Sequence, residues 1–386
     1  MTPLILPNSR ALRVRLKCSA FLLVFFVFSN ANAWGERGHD LITRVAVQQL
    51  VTLSNSNLAL TRPFVSRDHM LSHLSNAPDI VWRSSSMSEL ERQLNNPTHY
   101  ISLERALLAQ VPIQEFAHGY QDYKQALVKG SPSHAKLRDV EIGSAPWRVL
   151  QLYKLMVTSF SQIHSTKDKE LQIELINRAL LYAGLMSHFV GDLANPHHTS
   201  VNYDGQLSAQ KGLHAYFESD IVSVLPLGLI DQVYRASGTQ LLWQTILSPS
   251  NDEQDNVKVQ DKVALKSPSH LIFALISNSN ENLSELNRLD RKHSLIRESD
   301  HSKAPAQRKK PDEVAHLFKP FVVERLAIGA SVLSQLWYAA WLEADSPDLS
   351  GYHSYHYHLA PEFIVPDYLG VPAEENVSKL PAKSAQ

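Results

Sequence analysis

The stretch Gly184-Leu-Met-Ser-His-Phe-Val-Gly-Asp-Leu-Ala-Asn-Pro-His-His198 constrains this chain more than any other. His188 and Asp192 stand four apart at the end of a helical run, so their side chains share one face. A neutral imidazole and a carboxylate on one face suit Zn²⁺. Pro196 ends the helix and His198 follows on the turn. Sixteen residues later, His214 and Glu218 repeat the spacing within Gly212-Leu-His-Ala-Tyr-Phe-Glu218. A single His/carboxylate pair at this spacing is usually a surface or capping pair. Two such pairs around a helix, a turn and a further histidine are hard to assign to packing, and they point to bound metal.

Most of the remaining chain reads with helical period. His39 to Leu53 places Leu41, Ile42, Val45, Ala46 and Leu50 on one face. Pro146 opens a segment running to about Ile163, a position where proline is tolerated. Asp168 to Gly191, Gly212 to about Val224, and Phe318 to Leu342 complete the set of helices, and no alternating strand run of similar length is present. The fold class this predicts is all-α, a multi-helix body with long loops. Residues 248–312 are polar, with only Ser267 to Ile276 helical in pattern and Arg308-Lys-Lys-Pro311 at the end. They read as a surface insertion, with a regulatory or membrane-touching loop as the alternative. Residues 346–386 form a tail containing Tyr352-His-Ser-Tyr-His-Tyr-His358. Its histidines 353, 356 and 358 invite a metal reading, but no carboxylate is spaced to join them, and packing of the tail on the body is expected instead.

Residues 1–33 have the pattern of a secretory signal peptide: basic Arg10, Arg13, Arg15 and Lys17, an apolar run from Ser19 to Phe28, and Ala31-Asn-Ala33 as a cleavage site. The apolar run is too short for a membrane span, which needs ~20 residues. Cleavage after Ala33 makes Trp34 the first residue of an exported protein, periplasmic or secreted. The body is then 34–345 and the tail 346–386. Removing residues 1–33 takes four basic residues and no acidic one from the 37 Lys+Arg and 38 Asp+Glu of the whole chain. The remainder is mildly acidic, unlike a protein built to coat nucleic acid. The lone cysteine, Cys18, goes with the signal, so no disulfide can brace the body. Bound metal can supply bracing of that kind.

The predicted new N-terminus reads Trp34-Gly-Glu-Arg-Gly-His39. A free α-amino group and its own carbonyl oxygen can chelate a metal, with His39 near. Taken together, these pieces resemble the bacterial zinc-dependent phospholipase C family and its structural relatives, the fungal single-strand-specific nucleases. The shared signature is His-x-x-x-Asp-x-x-x-Pro-x-His, here His188, Asp192, Pro196 and His198. The resemblance covers 34–224 and returns at Arg325 to Trp337. It implies three Zn²⁺ ions and phosphodiester cleavage. Asp192 would bridge two ions, one held with Trp34 and His39 and the other with His188. His198, His214 and Glu218 would hold the third. Two more ligands are implied upstream, an Asp and then a His. Asp79 in Asn76-Ala-Pro-Asp-Ile80 and His99 in Pro97-Thr-His-Tyr100 fit that order, whereas His73 precedes the aspartate. Asp79 is also the implied general base.

Glu218 favours the phospholipase branch, since the nucleases usually place an Asp there within a Trp-Asp pair. The implied substrate is then a glycerophospholipid at a membrane or micelle surface. The five-residue spacing of Trp34 and His39 is nuclease-like. Ile80 also stands where the phospholipase choline pocket carries an aromatic, the face an ammonium group prefers. A single-strand nuclease acting on DNA or RNA therefore stays open as the alternative, and so does a zinc-binding protein without an open coordination position.

Overall fold

The computed structural model describes residues 34–112, 118–238, 267–300, 304–354 and 356–369. The expected signal segment 1–33 lies outside them. The described chain is mostly helical. Its principal helices are α1 (Gly35–Leu53), α2 (Ala145–Ser165), α3 (Lys169–Ala194), α4 (Pro268–Glu281) and α5 (Pro311–Glu343). Among the described residues no single helix is long and apolar enough to cross a membrane.

The local chemistry of each helix start is readable. Asp168 caps α3 by accepting from the backbone N–H groups of Glu170 and Leu171 at 3.0 and 3.4 Å, satisfying donors that a helix leaves orphaned. Pro146, Pro268 and Pro311 each stand in the first turn of their helix, where the missing N–H costs nothing. α5 begins seven residues before the predicted Phe318 because Pro311 with Lys310 before it starts the helix, and Pro320 is carried inside it.

α3 is the axis of the body. Every residue from Ala183 to Ala194 is buried, and a helix buried all round must be wrapped by others. α2, α1 and α5 pack against it, and α4 lies on α5, α3 and α2. Each fully buried Leu, Ile or Phe on these faces contributes about 1.5–3 kcal/mol of transfer free energy. That sum is what positions the polar end of α3.

Two departures from expectation have clear causes. The predicted surface insertion at 248–312 is, in its described part, a packing element. α4 buries Leu271, Ile272, Phe273, Leu275 and Ile276, a helical stripe that the polar surroundings mask. Arg308, expected within an exposed basic cluster, is largely buried against Asp290 at 2.8 Å and donates to the Gln210 carbonyl at 2.6 Å. It closes a small antiparallel ribbon of β1 (Leu295–Arg297) and β2 (Gln307–Arg308). Secondly, the helix expected from Gly212 to Val224 is broken into an α-turn Leu213–Ala215, a π-helical turn Tyr216–Ile221 and a final turn Val222–Val224. Such widened turns recur at functional sites. The tail runs over the body in extended form, its Leu359, Pro361 and Val365 carbonyls taken by His73, Trp82 and Gln151.

Candidate metal centre

The centre begins at the buried end of α3. His188 and Asp192 share a face, with His188 Nε2 3.3 Å from Asp192 Oδ2. The turn Asn96–His99 brings His99 against both: its Nδ1 is 2.9 Å from His188 Nε2 and 3.1 Å from Asp192 Oδ2. Asp79, on the single turn Ala77–Ile80, places Oδ1 3.7 Å from His99 Nδ1 and 3.7 Å from His188 Nε2. From the opposite side α1 delivers His39, whose Nε2 is 3.5 Å from Asp192 Oδ1 and whose ring stacks on His188 with centroids 4.2 Å apart. The two oxygens of Asp192 thus face different histidines.

A second group adjoins. The helical turn Pro196–Thr199 presents His198, and the turns beginning at Leu213 present His214 and Glu218. His214 Nε2 lies 2.9 Å from His198 Nε2 and 2.8 Å from Glu218 Oε2, with His198 Nε2 3.6 Å from the same oxygen. The backbone N–H of Trp34 donates to Glu218 Oε2 at 2.9 Å, and Asn195 Nδ2 donates to it at 2.8 Å. The resemblance pairs Trp34 with His39 and Asp192; in the structure its nitrogen meets Glu218, and its carbonyl accepts from Gly38 within α1. The indole is buried and donates Nε1–H to the Gly191 carbonyl at 2.6 Å.

Close approach at this end depends on glycine. A Cβ on Gly191 would stand 2.7 Å from His39 Nδ1, so with any larger residue there the His39 ring or the helix must shift. That requirement outweighs the roughly 0.5–1 kcal/mol by which glycine weakens a helix interior.

The surroundings orient the rings. His188 Nδ1 is 2.8 Å from the Ser75 carbonyl and His198 Nδ1 is 2.7 Å from the His99 carbonyl. A carbonyl only accepts, so each Nδ1 carries the proton and each Nε2 turns its lone pair inward. Burial, first among the causes, holds the pKa values of His39, His99 and His188 well below the usual imidazole value, so these rings are neutral at neutral pH. Burial works to raise the pKa of Glu218, but His214 and His198 override it and push it down to about 2. Burial likewise works to lower the pKa of His214, and the Glu218 charge reverses it upward. Asp192 is raised well above the ordinary carboxylate range by burial.

Among the described residues, several buried atoms have no hydrogen-bond partner: both nitrogens of His39, Nε2 of His99, Oδ1 of Asp192 and Oε1 of Glu218. Each such atom costs about 1–3 kcal/mol when left unsatisfied, and a concentration of them in one place asks for a cation. Three groups bring ligand atoms within 4.8 Å of one another: His39, His188 and Asp192; Asp79, His99 and His188; His198, His214 and Glu218. Nitrogen and oxygen ligands about 2.0–2.2 Å from one tetrahedral ion stand roughly 3.3–3.6 Å apart, close to the separations found. These clusters could hold metal ions.

All nine residues singled out in the sequence as ligands lie in or against this cluster. His73, the rival for His99, is spent elsewhere on the Leu359 carbonyl. Sequence reasoning missed Asn195, the Ser75 and His99 carbonyls, and Arg83, whose Nη1 is 2.8 Å from Asp79 Oδ1. Arg83 carried a readable signal, four residues beyond Asp79 on a helical turn; the carbonyls had none. His197 was also passed over. It is fully buried, and neither ring nitrogen has a hydrogen-bond partner among the described residues.

Comparison of the chain with protein-family models, with curated proteins and with solved structures finds no match.

Proposed function

We propose that this chain is an exported zinc-dependent phosphodiester hydrolase, a phospholipase C that cuts glycerophospholipids into diacylglycerol and a phosphorylated headgroup. The observation that carries the reading is the convergence of three His/carboxylate groups on one buried region. In this reading His39, Asp192 and Trp34 hold one ion, Asp79, His99, His188 and Asp192 a second, and His198, His214 and Glu218 a third. Zinc held by these residues supplies Lewis acidity and lowers the pKa of water towards ~7.

The chain's own groups do the rest. Asp79 stands at the edge of the cluster, where its carboxylate can take the proton of an attacking water. The new P–O bond forms as the bond to the glycerol oxygen breaks. The proton passes to that oxygen, so diacylglycerol leaves as the neutral alcohol. Arg83, paired with Asp79, places a guanidinium beside the incoming phosphate, where a cation offsets its charge. Buried Phe189 packs its ring on His99 and His188, with centroids 5.4 and 5.1 Å away, which helps keep these two rings dry and neutral.

Single-strand nuclease activity is the second reading. It is favoured by Ile80, an aliphatic residue 51% exposed directly after Asp79, which offers no aromatic face to choline. It is favoured also by Tyr203, 59% exposed and five residues beyond His198, which could stack on a base.

The test is to give the protein beginning at Trp34 phosphatidylcholine, phosphatidylglycerol and single-stranded DNA, with and without a chelator. Chelator-sensitive release of diacylglycerol is the expected result. Cleavage of DNA with both lipids intact selects the nuclease. A metal-loaded protein that cuts none of the three overturns hydrolysis altogether.

A further inference from the structure

The tail histidines fall outside the centre just described, and two of them converge. His356 Nε2 lies 3.3 Å from His358 Nδ1, with the rings edge-on at 74° and centroids 4.4 Å apart. The same arrangement occurs within the metal centre. His99 and His188 meet nitrogen to nitrogen at 2.9 Å, edge-on at 87° with centroids 4.9 Å apart. His198 and His214 do so at 2.9 Å, 84° and 4.7 Å. Other histidine neighbours differ: His39 stacks flat on His188 and His197 is merely tilted against His214. Two imidazole nitrogens bound to one tetrahedral ion at about 2.0–2.1 Å stand roughly 3.3–3.4 Å apart, the separation found in the tail.

The pair is held in place before any ion arrives. Asn177 on α3 accepts from the Tyr352 hydroxyl at 2.7 Å and donates to Ser354 Oγ at 3.1 Å. Ser354 Oγ in turn accepts the His356 backbone N–H at 3.0 Å. The Tyr357 hydroxyl donates to the His69 carbonyl at 3.2 Å, and His73 bonds the Leu359 carbonyl at 2.7 Å. Anchors on both sides of His356 and His358 reduce the ordering cost that a loose tail would incur on binding.

The pair also faces a groove of about 830 Å³, lined from the start of α3 by Asp168, Glu170, Glu174 and Arg178 and from the tail by Ser354, His356 and His358. Asp168 is engaged in capping α3 and Glu174 is shared with Arg178 at 2.7 Å. Three carboxylates against the one guanidinium of Arg178 leave this wall net negative, a field that concentrates cations.

We propose that His356 and His358 form a second, separate binding site for a divalent late transition metal, taking two imidazole nitrogens from the tail and completing its coordination with water. With two nitrogen ligands and, among the described residues, no carboxylate grouped with them, the site favours Cu²⁺ over Zn²⁺, following the general order of divalent affinities. His353 takes no part, its Nδ1 being turned back to the Gly351 carbonyl at 3.0 Å. The site does not depend on what the main centre hydrolyses.

The experiment titrates zinc-loaded full-length protein with CuCl₂ alone, up to one equivalent, and reads bound copper, retained zinc and the electron paramagnetic resonance spectrum. The expected result is one extra Cu²⁺ per chain with a two-nitrogen signature and no zinc released. The double variant His356→Ala/His358→Ala should lose that copper while keeping its zinc and its melting temperature, and His353→Ala should keep the copper. In the unaltered protein, copper should shield His356 and His358 from diethyl pyrocarbonate, a measurement that does not depend on any variant folding. Unchanged copper binding in the double variant, copper lost with His353→Ala, or no protection of the two rings overturns the site.

Discussion

The backbone nitrogen of Trp34 lies 2.9 Å from Glu218 Oε2, a contact across 184 residues. It joins the start of α1 to the π-helical turn that carries Glu218, and the buried indole locks it through the Gly191 carbonyl. An N–H in a peptide bond can only donate to that carboxylate. A free amine at the same point could bind metal beside it.

The position of the chain start should therefore control metal content. Protein beginning at Trp34 is expected to hold one more ion per chain than protein with a single residue added before Trp34, and to be far more active. Elemental analysis alongside mass spectrometry of the N-terminus measures this directly. Equal metal content in the two forms would remove Trp34 from the ligand set.

Asp192→Asn keeps the shape of the carboxylate and removes its charge, while its two oxygens serve different histidines. Even partners outside the ligand set cost 10–100-fold when removed. The loss of activity should exceed about 100-fold by that scale, with at least one ion lost per chain. A variant with full metal content and undiminished hydrolysis would contradict the bridging role.

Gly191→Ala separates two effects of opposite sign. On helix propensity alone it would stabilise α3 by about 0.5–1 kcal/mol. The added Cβ would meet His39 Nδ1 at 2.7 Å, and overpacking of this kind costs about 1–3 kcal/mol. The expected outcome is a lower melting temperature and loss of the ion held with His39. A rise in melting temperature with metal retained would mean that the α1–α3 contact yields easily.

Metal retention should extend well below the ordinary imidazole pKa. The pKa values of His39, His99 and His188 are lowered chiefly by burial, so near pH 6.5 an incoming ion has no proton to displace from them. Occupancy of the two sites built from His39, His99 and His188, measured after dialysis, should be level from pH 8 to about 6.5 and fall only as acid protonates these rings below it, whereas the site that includes His214, whose pKa is raised by Glu218, should empty at higher pH. A midpoint of loss at or above about 6.5 would show that the rings are more hydrated than their burial suggests.

The helices and most candidate ligands were legible because they repeat locally. Leu41, Ile42 and Val45 mark one face of α1, and the four-residue steps His188–Asp192 and His214–Glu218 need only helix geometry. What was hidden needed distant partners. The stripe of Leu271, Ile272 and Leu275 sat in a polar region and read as surface, because burial is a property of what packs on top. The widened turn at Tyr216–Ile221 left no mark in the residue pattern.

By itself the sequence determined an all-α body and the residue types of a candidate His/carboxylate metal site, since helical period and side-chain chemistry are local properties. Only the tertiary structure decided that α1, the Asn96–His99 turn and the end of α3 meet at one point. It also decided that Trp34 faces Glu218 and that carbonyls of Ser75 and His99 set the tautomers of His188 and His198. Those choices depend on contacts between segments tens to hundreds of residues apart, which only the packing of the core selects.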